Sequence, residues 1–350
     1  MDKMKVSIQQ CSSGEILAQD ILNDKGIILV AKNTQMNSFI KQKLLEWGQS
    51  EVSVYKTPSG EVLLKTDRNE QVRESYATAI RSIKSIISKL SSGIAVDYGE
   101  VLSLSSFVFD HINENNSAIK YLNEVKNYDD YTYTHCLNTA FYCMLISRWM
   151  KMSEAEIKIA IQAGLLHDIG KTDIPKEILN KKGNLTAEEF ELIKEHTTYG
   201  YIKMDSFVGS PLIPEEVKKA VLQHHERIDG SGYPFGKTTE DINLFAKMVS
   251  VSDVFDAMTS DRAYKKRSSP FDVFEMFKTV GISMFDTDII NIFIKNIAPY
   301  YIDAEVLLSD GSLGTIVFVP PHDITRPIVK VNFRYLDLSK EESIKLMRII

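Results

Sequence analysis

The sequence predicts a mainly α protein, a helical bundle with small β-rich units at its N- and C-terminal ends. Two observations carry this. Between about residues 100 and 300, apolar residues recur at helical spacing, broken by helix-start signals. At both ends, short apolar runs alternate with turn residues instead.

At the N-terminus the short runs are Glu15-Ile16-Leu17-Ala18, Gly26-Ile27-Ile28-Leu29-Val30 and Glu51-Val52-Ser53-Val54-Tyr55. One helix is expected among them, from about Asn37 to Trp47, with Gly48 as its stop. Thr57-Pro58-Ser59-Gly60 breaks the pattern. From Asp67 to Leu90, the residues Val72, Tyr76, Ala79, Ile80, Ile83, Ile86, Ile87 and Leu90 form a narrow helical stripe. It reads either as a core helix of the next domain or as a signalling or dimer helix.

Further helices are expected over about 100–115, 129–151, 153–167, 186–205, 214–227, 240–260, 270–284 and 286–298. Ser153 with Glu156 and Thr186 with Glu189 are capping boxes, and Pro214 suits a first helical turn. Beyond 301, Ala304 to Leu308 and Thr315 to Val319 flank the hairpin signal Ser309-Asp310-Gly311, and Pro327 to Val331 offers a third strand. Ser339 to Ile350 is expected to close the chain as a helix. The expected domains are 1–66 (β-rich accessory), 67–128 (connecting and bundle helices), 129–300 (principal helical domain) and 301–350 (β-hairpin segment with closing helix).

The 350 residues suffice for a sizeable core without disulfide staples. Lys and Arg total 41 against 47 Asp and Glu, a net charge of -6, which argues against a nonspecific nucleic-acid binder but permits a local basic pocket. Cys11, Cys136 and Cys143 show no Cys-x-x-Cys spacing and read as free thiols of a reducing compartment. Residues 1–10 are polar, without the apolar core of a signal peptide, and no apolar stretch approaches the roughly 20 residues of a span. A cytoplasmic location is expected.

Five of the seven histidines fall in a pattern that reads as one metal centre. His135 lies on one expected helix. His167 ends a second, with Asp168 beside it, and His196 lies on a third. His224 and His225 end a fourth, and Asp253 lies on a fifth. Inward-facing ligands from separate helices are how a bundle builds such a site. Five imidazoles and two carboxylates exceed the needs of one tetrahedral ion. A two-metal arrangement bridged by Asp168 uses them all: His135, His167, Asp168 and Asp253 around one ion, and His196, His224, His225 and the second Asp168 oxygen around the other. Nitrogen and carboxylate donors without thiolate fit iron, manganese, cobalt, nickel or zinc. His111 and His322 lie outside the pattern.

These residues resemble the HD-GYP domain, a branch of the HD metal-dependent phosphohydrolases. The likeness rests on His-Asp-Ile-Gly-Lys at 167–171, His-His-Glu-Arg at 224–227, Asp-Gly-Ser-Gly-Tyr-Pro at 229–234 and Asp-Val-Phe-Asp-Ala-Met-Thr-Ser-Asp-Arg at 253–262, and covers about 125–300. It implies an HD-type bundle that hydrolyses cyclic di-GMP to pGpG, and often on to GMP, by a hydroxide bridging two metals, with iron or manganese favoured. The family's metal positions fall on His135, His167, Asp168, His196, His224, His225 and Asp253. Its catalytic and phosphate-holding positions fall on Asp168 and Lys171, with Arg262 and Lys265 as further phosphate contacts. Gly232, Tyr233 and Pro234 match the signature loop, which implies substrate contact and docking of a diguanylate cyclase. Some members carry a Glu for a third metal where this chain has Tyr131, so two ions are expected; Ala263 stands where Pro is common. A homodimer is a further expectation, as are two alternatives: hydrolysis of 3′,3′-cyclic GMP-AMP or another phosphoester, and a weakly active cyclic-dinucleotide receptor or adaptor.

Overall fold

The computed structural model describes residues 3–55, 65–111, 131–209, 212–260, 267–341 and 343–350, with the backbone alone at 65–71 and 131. The chain divides into two compact units, one of residues 1–63, 268–276 and 293–350, the other of residues 64–267 and 277–292. The N- and C-terminal β-rich segments, expected as separate domains, thus belong to a single unit.

In the first unit, β1 (Lys3–Ser7) pairs antiparallel with β4 (Glu51–Tyr55), Val6 opposite Val52, and β2 (Ile21–Leu22) pairs with β3 (Ile28–Val30). Between them α1 (Ser38–Glu46) starts at Asn37, whose side chain accepts from the Ile40 N–H. Strands β5 (Glu305–Leu308), β6 (Leu313–Phe318), β7 (Ile328–Val331), β8 (Arg334–Asp337) and β9 (Leu346–Ile349) form an antiparallel sheet in the order β8-β7-β6-β5-β9. The expected closing helix over 339–350 is therefore incorrect. Leu346 to Ile349 is a strand whose Leu346 is buried opposite Leu308, because edge pairing with β5 outweighs the helical spacing of its apolar residues. Phe39 from α1 meets Phe318 and Tyr335 of the sheet, and the Asn37 amide donates to the Val317 carbonyl at 2.9 Å.

The second unit is helical: α2 (Lys65–Ser91), α3 (Tyr98–His111), α4 (Tyr131–Trp149), α5 (Glu154–Leu166), α6 (Lys176–Leu179), α7 (Ala187–Lys194), α8 (His196–Lys203), α9 (Glu215–Gln223) and α10 (Leu244–Thr259). Two more helices, α11 (Pro270–Lys278) and α12 (Thr287–Ile297), are divided between the units, with 270–276 and 293–297 counted in the first. Helix α4 is buried all round from Ala140 to Ile146, as suits a central helix. It packs chiefly on α5 and α10. Gly164 permits the α4–α5 approach, since a Cβ there would overlap the Ala140 backbone. The stripe on α2 is a core face: Val72, Tyr76, Ala79, Ile83, Ile86, Ile87 and Leu90 are buried. No helix among the described residues is long and apolar enough to cross a membrane.

Helix bounds differ from expectation, as two places show. The span 240–260 begins at Leu244, because the Asn243 side chain accepts from the Phe245 and Ala246 N–H groups. The span 186–205 is two helices, with the join at Glu195. Both expected capping boxes, Ser153 with Glu156 and Thr186 with Glu189, are formed.

Candidate metal centre

All seven candidate ligands sit on the helical unit, five of them at helix ends. Helix α5 stops at Leu166, so His167 and Asp168 leave the helix axis, and a 3-10 turn over Ile169–Asp173 follows. Gly170 lets this turn lie directly against α8, because a Cβ there would strike the His196 carbonyl and the Gly200 amide. His196 is the first residue of α8, and His224 and His225 follow the end of α9. His135 and Asp253 project from the middles of α4 and α10.

The structure brings all seven together. His135 Nε2 lies 3.1 Å from an Asp253 oxygen and 3.8 Å from Asp168 Oδ2. His167 Nε2 lies 3.3 Å from Asp168 Oδ2, and His196 Nε2 lies 3.5 Å from Asp168 Oδ1. The Nε2 atoms of His196 and His224 face each other at 3.4 Å. Three three-residue groups emerge: His135–His167–Asp253, His196–His224–His225, and His167–Asp168–His224, which joins the other two.

Nε2 is left facing inward for a physical reason. His167, His196 and His224 each donate Nδ1–H to the carbonyl three residues earlier, of Gly164, Ile193 and Val221, at 2.6–2.8 Å. A carbonyl oxygen only accepts, so the tautomer is fixed and Nε2 carries the lone pair. His135 Nδ1 is held at 2.8 Å by the carboxylate of Asp256.

Do these donors fit metal ions? His167 Nε2 and Asp168 Oδ1 are buried with no hydrogen-bond partner among the described residues. Orphaned polar atoms at such depth are costly unless a cation satisfies them. Two ligands each about 2.1 Å from one ion sit roughly 3.0–3.4 Å apart in octahedral or tetrahedral geometry. The separations above lie in or near that range. The residues fit a divalent metal.

Electrostatics agree. Burial pushes the His196 imidazole down, and His224 and His225 well below their ordinary value; neighbouring imidazoles add to this for the latter two. Those rings are neutral, the form that ligates. Burial opposes ionisation of Asp168, but His167 and Lys171 overcome it and hold the carboxyl well below its usual range. Asp253 is likewise held low against its burial, by its hydrogen bond with His135. In return, His135 is raised to about 9: burial works against its charge, but Asp253 and Asp256 outweigh it.

Lys171 Nζ donates to Asp168 Oδ2 at 2.6 Å, with its side chain 34% exposed, so it stands at the mouth of the site. The Gly232-Tyr233-Pro234 loop lies against the other side. Tyr233 N donates to the His225 carbonyl at 3.2 Å, and its ring lies on the His225 imidazole. Arg262 and Lys265 fall outside the described residues.

Four residues with no role assigned from the sequence stand behind the ligands. Glu226 is 3% exposed and accepts the N–H groups of Phe235 and Lys237, tying down the loop. Asp256, Asn138 and Tyr76 form a buried chain behind His135. A signal existed for two of them. Asp256 follows Asp253, and Asn138 follows His135, by three residues on one helix, so each pair shares a face.

Comparison with known proteins extends the picture. The HD domain family matches residues 111–289. A cyclic di-GMP phosphodiesterase of Pseudomonas aeruginosa is 32% identical over 280 residues, 79% of this chain and 66% of that protein. A cyclic di-GMP phosphodiesterase of Thermotoga maritima is 33% identical over 224 residues, 64% of this chain and 57% of that protein. A 3′3′-cGAMP-specific phosphodiesterase of Vibrio cholerae is 30% identical over 185 residues, 53% of this chain and 42% of that protein. The chain thus spans between about two fifths and two thirds of the length of these relatives. An HDG"Y"P protein from Bdellovibrio bacteriovorus has the same fold, with a TM-score of 0.53 at 13% identity over 83% of this chain and 98% of that one.

Proposed function

The chain belongs to the HD domain family and carries its HD-GYP motifs, and from that footing we propose that it is a metal-dependent phosphodiesterase hydrolysing cyclic di-GMP. The product is linear pGpG, with onward cleavage to GMP as the alternative end point. One observation carries the reading: five imidazoles and two carboxylates converge, His167, His196 and His224 with their Nε2 lone pairs inward, and His167 Nε2 and Asp168 Oδ1 are buried without partners among the described residues.

The metal positions are His135, His167, Asp168, His196, His224, His225 and Asp253, for two divalent ions, iron or manganese. When bound, such a pair supplies a hydroxide nucleophile at neutral pH and polarises the phosphoryl oxygen under attack. The chain supplies the rest. Asp168 presents one oxygen to each side of the cluster. Lys171, held by Asp168, offers an ammonium group at the mouth that neutralises charge developing on the phosphate. Arg262 and Lys265 hold the substrate's phosphates, a role supported for Arg262 by its place at the end of the 253–262 motif and for Lys265 by its position three residues on. Gly232, Tyr233 and Pro234 form the wall on the His225 side, and the same loop is the proposed contact for a diguanylate cyclase. The proposed location is the cytoplasm, in keeping with three cysteines that read as free thiols of a reducing compartment.

A second substrate has specific support, since a relative is named as specific for 3′3′-cGAMP. The test is turnover of cyclic di-GMP and 3′,3′-cyclic GMP-AMP side by side, on protein loaded separately with iron, manganese and zinc, with elemental analysis of each sample. Faster cleavage of cyclic di-GMP is expected. Tight binding of cyclic di-GMP without linear product would replace the enzyme with a receptor.

A further inference from the structure

His135 is oriented differently from His167, His196 and His224. Those three rings take their orientation from their own backbone, through carbonyls three residues earlier. His135 takes its orientation from another helix: Asp256 Oδ2, on α10, accepts its Nδ1–H at 2.8 Å. The second Asp256 oxygen accepts the Asn138 amide at 2.8 Å. The Asn138 carbonyl oxygen accepts the Tyr76 hydroxyl at 2.5 Å. The donors run from Tyr76 on α2 to Asn138 on α4 and on to Asp256 on α10, where they meet the Nδ1–H that His135 donates from the other side. Tyr76, Asn138 and Asp256 are at most 3% exposed.

We propose that Tyr76 is a positioning residue of the metal centre, acting through Asn138 and Asp256 on His135, so that the placement of helix α2 sets how tightly the His135–His167–Asp253 group holds its ion. The inference rests on the reading of the cluster as a two-ion centre. A carboxylate behind a ligating imidazole fixes its ring and makes it a stronger donor. A buried carboxylate turns to wherever its hydrogen bonds are satisfied, and the other Asp256 oxygen is held by the Asn138 amide at 2.8 Å, with the Ser260 hydroxyl at a longer 3.3 Å, so loss of the Asn138 bond loosens the carboxylate that faces His135. Asn138 can point its amide at Asp256 only while its carbonyl finds a donor, which Tyr76 supplies. Helix α2 also packs on the Ile169–Asp173 turn, which carries Lys171. By sequence it is the helix that residues 1–63 lead into, which gives an input there a covalent path to Tyr76. The His196–His224–His225 group has no such link through these bonds, so the effect is confined to one ion.

The test is a titration of the full metal-free chain with manganese against a competing chelator, resolving two binding steps. Tyr76→Phe keeps the buried ring and deletes only the hydroxyl. It is expected to weaken one step about tenfold, and Asp256→Asn to weaken the same step by about 10- to 100-fold, with the other step unchanged. In the Asp256→Asn background, Tyr76→Phe should add nothing, since both act through one bond series. A merely structural role would lower the melting temperature of the metal-free protein and weaken both steps together. The proposal is overturned if Tyr76→Phe leaves both steps at wild-type affinity, if both weaken alike, or if the two variants' effects simply add. It also falls if the wild-type chain binds fewer than two ions. No nucleotide enters this experiment, so a wild-type protein that binds two ions but cleaves no cyclic dinucleotide would refute the phosphodiesterase reading alone.

Discussion

The Tyr233 ring lies over the His225 imidazole, with centroids 4.7 Å apart and planes 27° apart. This stack is held from behind. Gly232 runs so close to the 225–227 backbone that a Cβ would overlap Arg227 N, His225 O and Glu226 Cα. Gly232→Ala should therefore force the loop away, at about 1–3 kcal/mol of stability, as overpacking does. Because the displaced loop carries Tyr233 off His225, turnover should fall at least about tenfold, since small misplacements at a reacting centre are costly. A melting curve and a cyclic di-GMP assay on the same preparation check both effects. Wild-type values in both would show that the close approach is unimportant.

His167→Ala and Asp168→Ala should each remove metal and bring turnover below detection. His167 offers an inward nitrogen with no other partner among the described residues, and Asp168 stands beside both ligand groups. Elemental analysis must accompany the assay. An Asp168→Ala protein that retains two ions and full activity would contradict the bridging role.

Lys171→Met tests charge neutralisation apart from metal binding. The ammonium contacts Asp168 Oδ2, while Asp168 Oδ1 is the atom nearest the His196 side. Metal content should survive the change. The maximal rate should fall about 10²–10³-fold, the usual loss for one electrostatic donor. Lys171→Arg should recover part of it, since the charge remains. Unchanged maximal rate in Lys171→Met at full metal occupancy would remove Lys171 from the chemistry.

Much of this site was legible in the sequence because its ligands are chemically unusual and punctuate helices. The His167-Asp168 pair follows an apolar helix, and the His224-His225 pair follows an amphipathic one, so their convergence could be argued from spacing. What the sequence did not reveal is the support behind the ligands. Asp256 and Asn138 are ordinary polar residues in helix interiors, and only the crossing of α4 and α10 makes them partners. Glu226 similarly acquires its role from residues nine and eleven positions on. At the C-terminus, 339–350 read as a helix by local pattern, whereas the strand at Leu346–Ile349 is made by non-local pairing with β5. Contacts of that kind leave little trace in local periodicity.

The metal centre also dictates a pH dependence for the metal-free protein. His135, raised from 6.5 to about 9, binds its proton more tightly in the fold than in the unfolded chain. Its stabilising contribution is full below pH 6.5 and is lost as pH rises towards 9. His196, His224 and His225 behave oppositely. Burial depresses them below 6.5, so their contribution holds above that value and is lost as pH falls through it. Asp168 and Asp253, held below 3.8, matter only in stronger acid. The centre without metal should therefore contribute most near pH 6.5 and less on either side. Manganese bound at His135 requires the ring nitrogen deprotonated, so binding near neutral pH should release about one proton there and abolish the alkaline loss. Melting temperatures of the metal-free and manganese-loaded chain across this range, with calorimetry in two buffers to count protons, give the test. A metal-free melting temperature that climbs steadily from pH 6.5 to 9 would contradict the charged His135 held between Asp253 and Asp256.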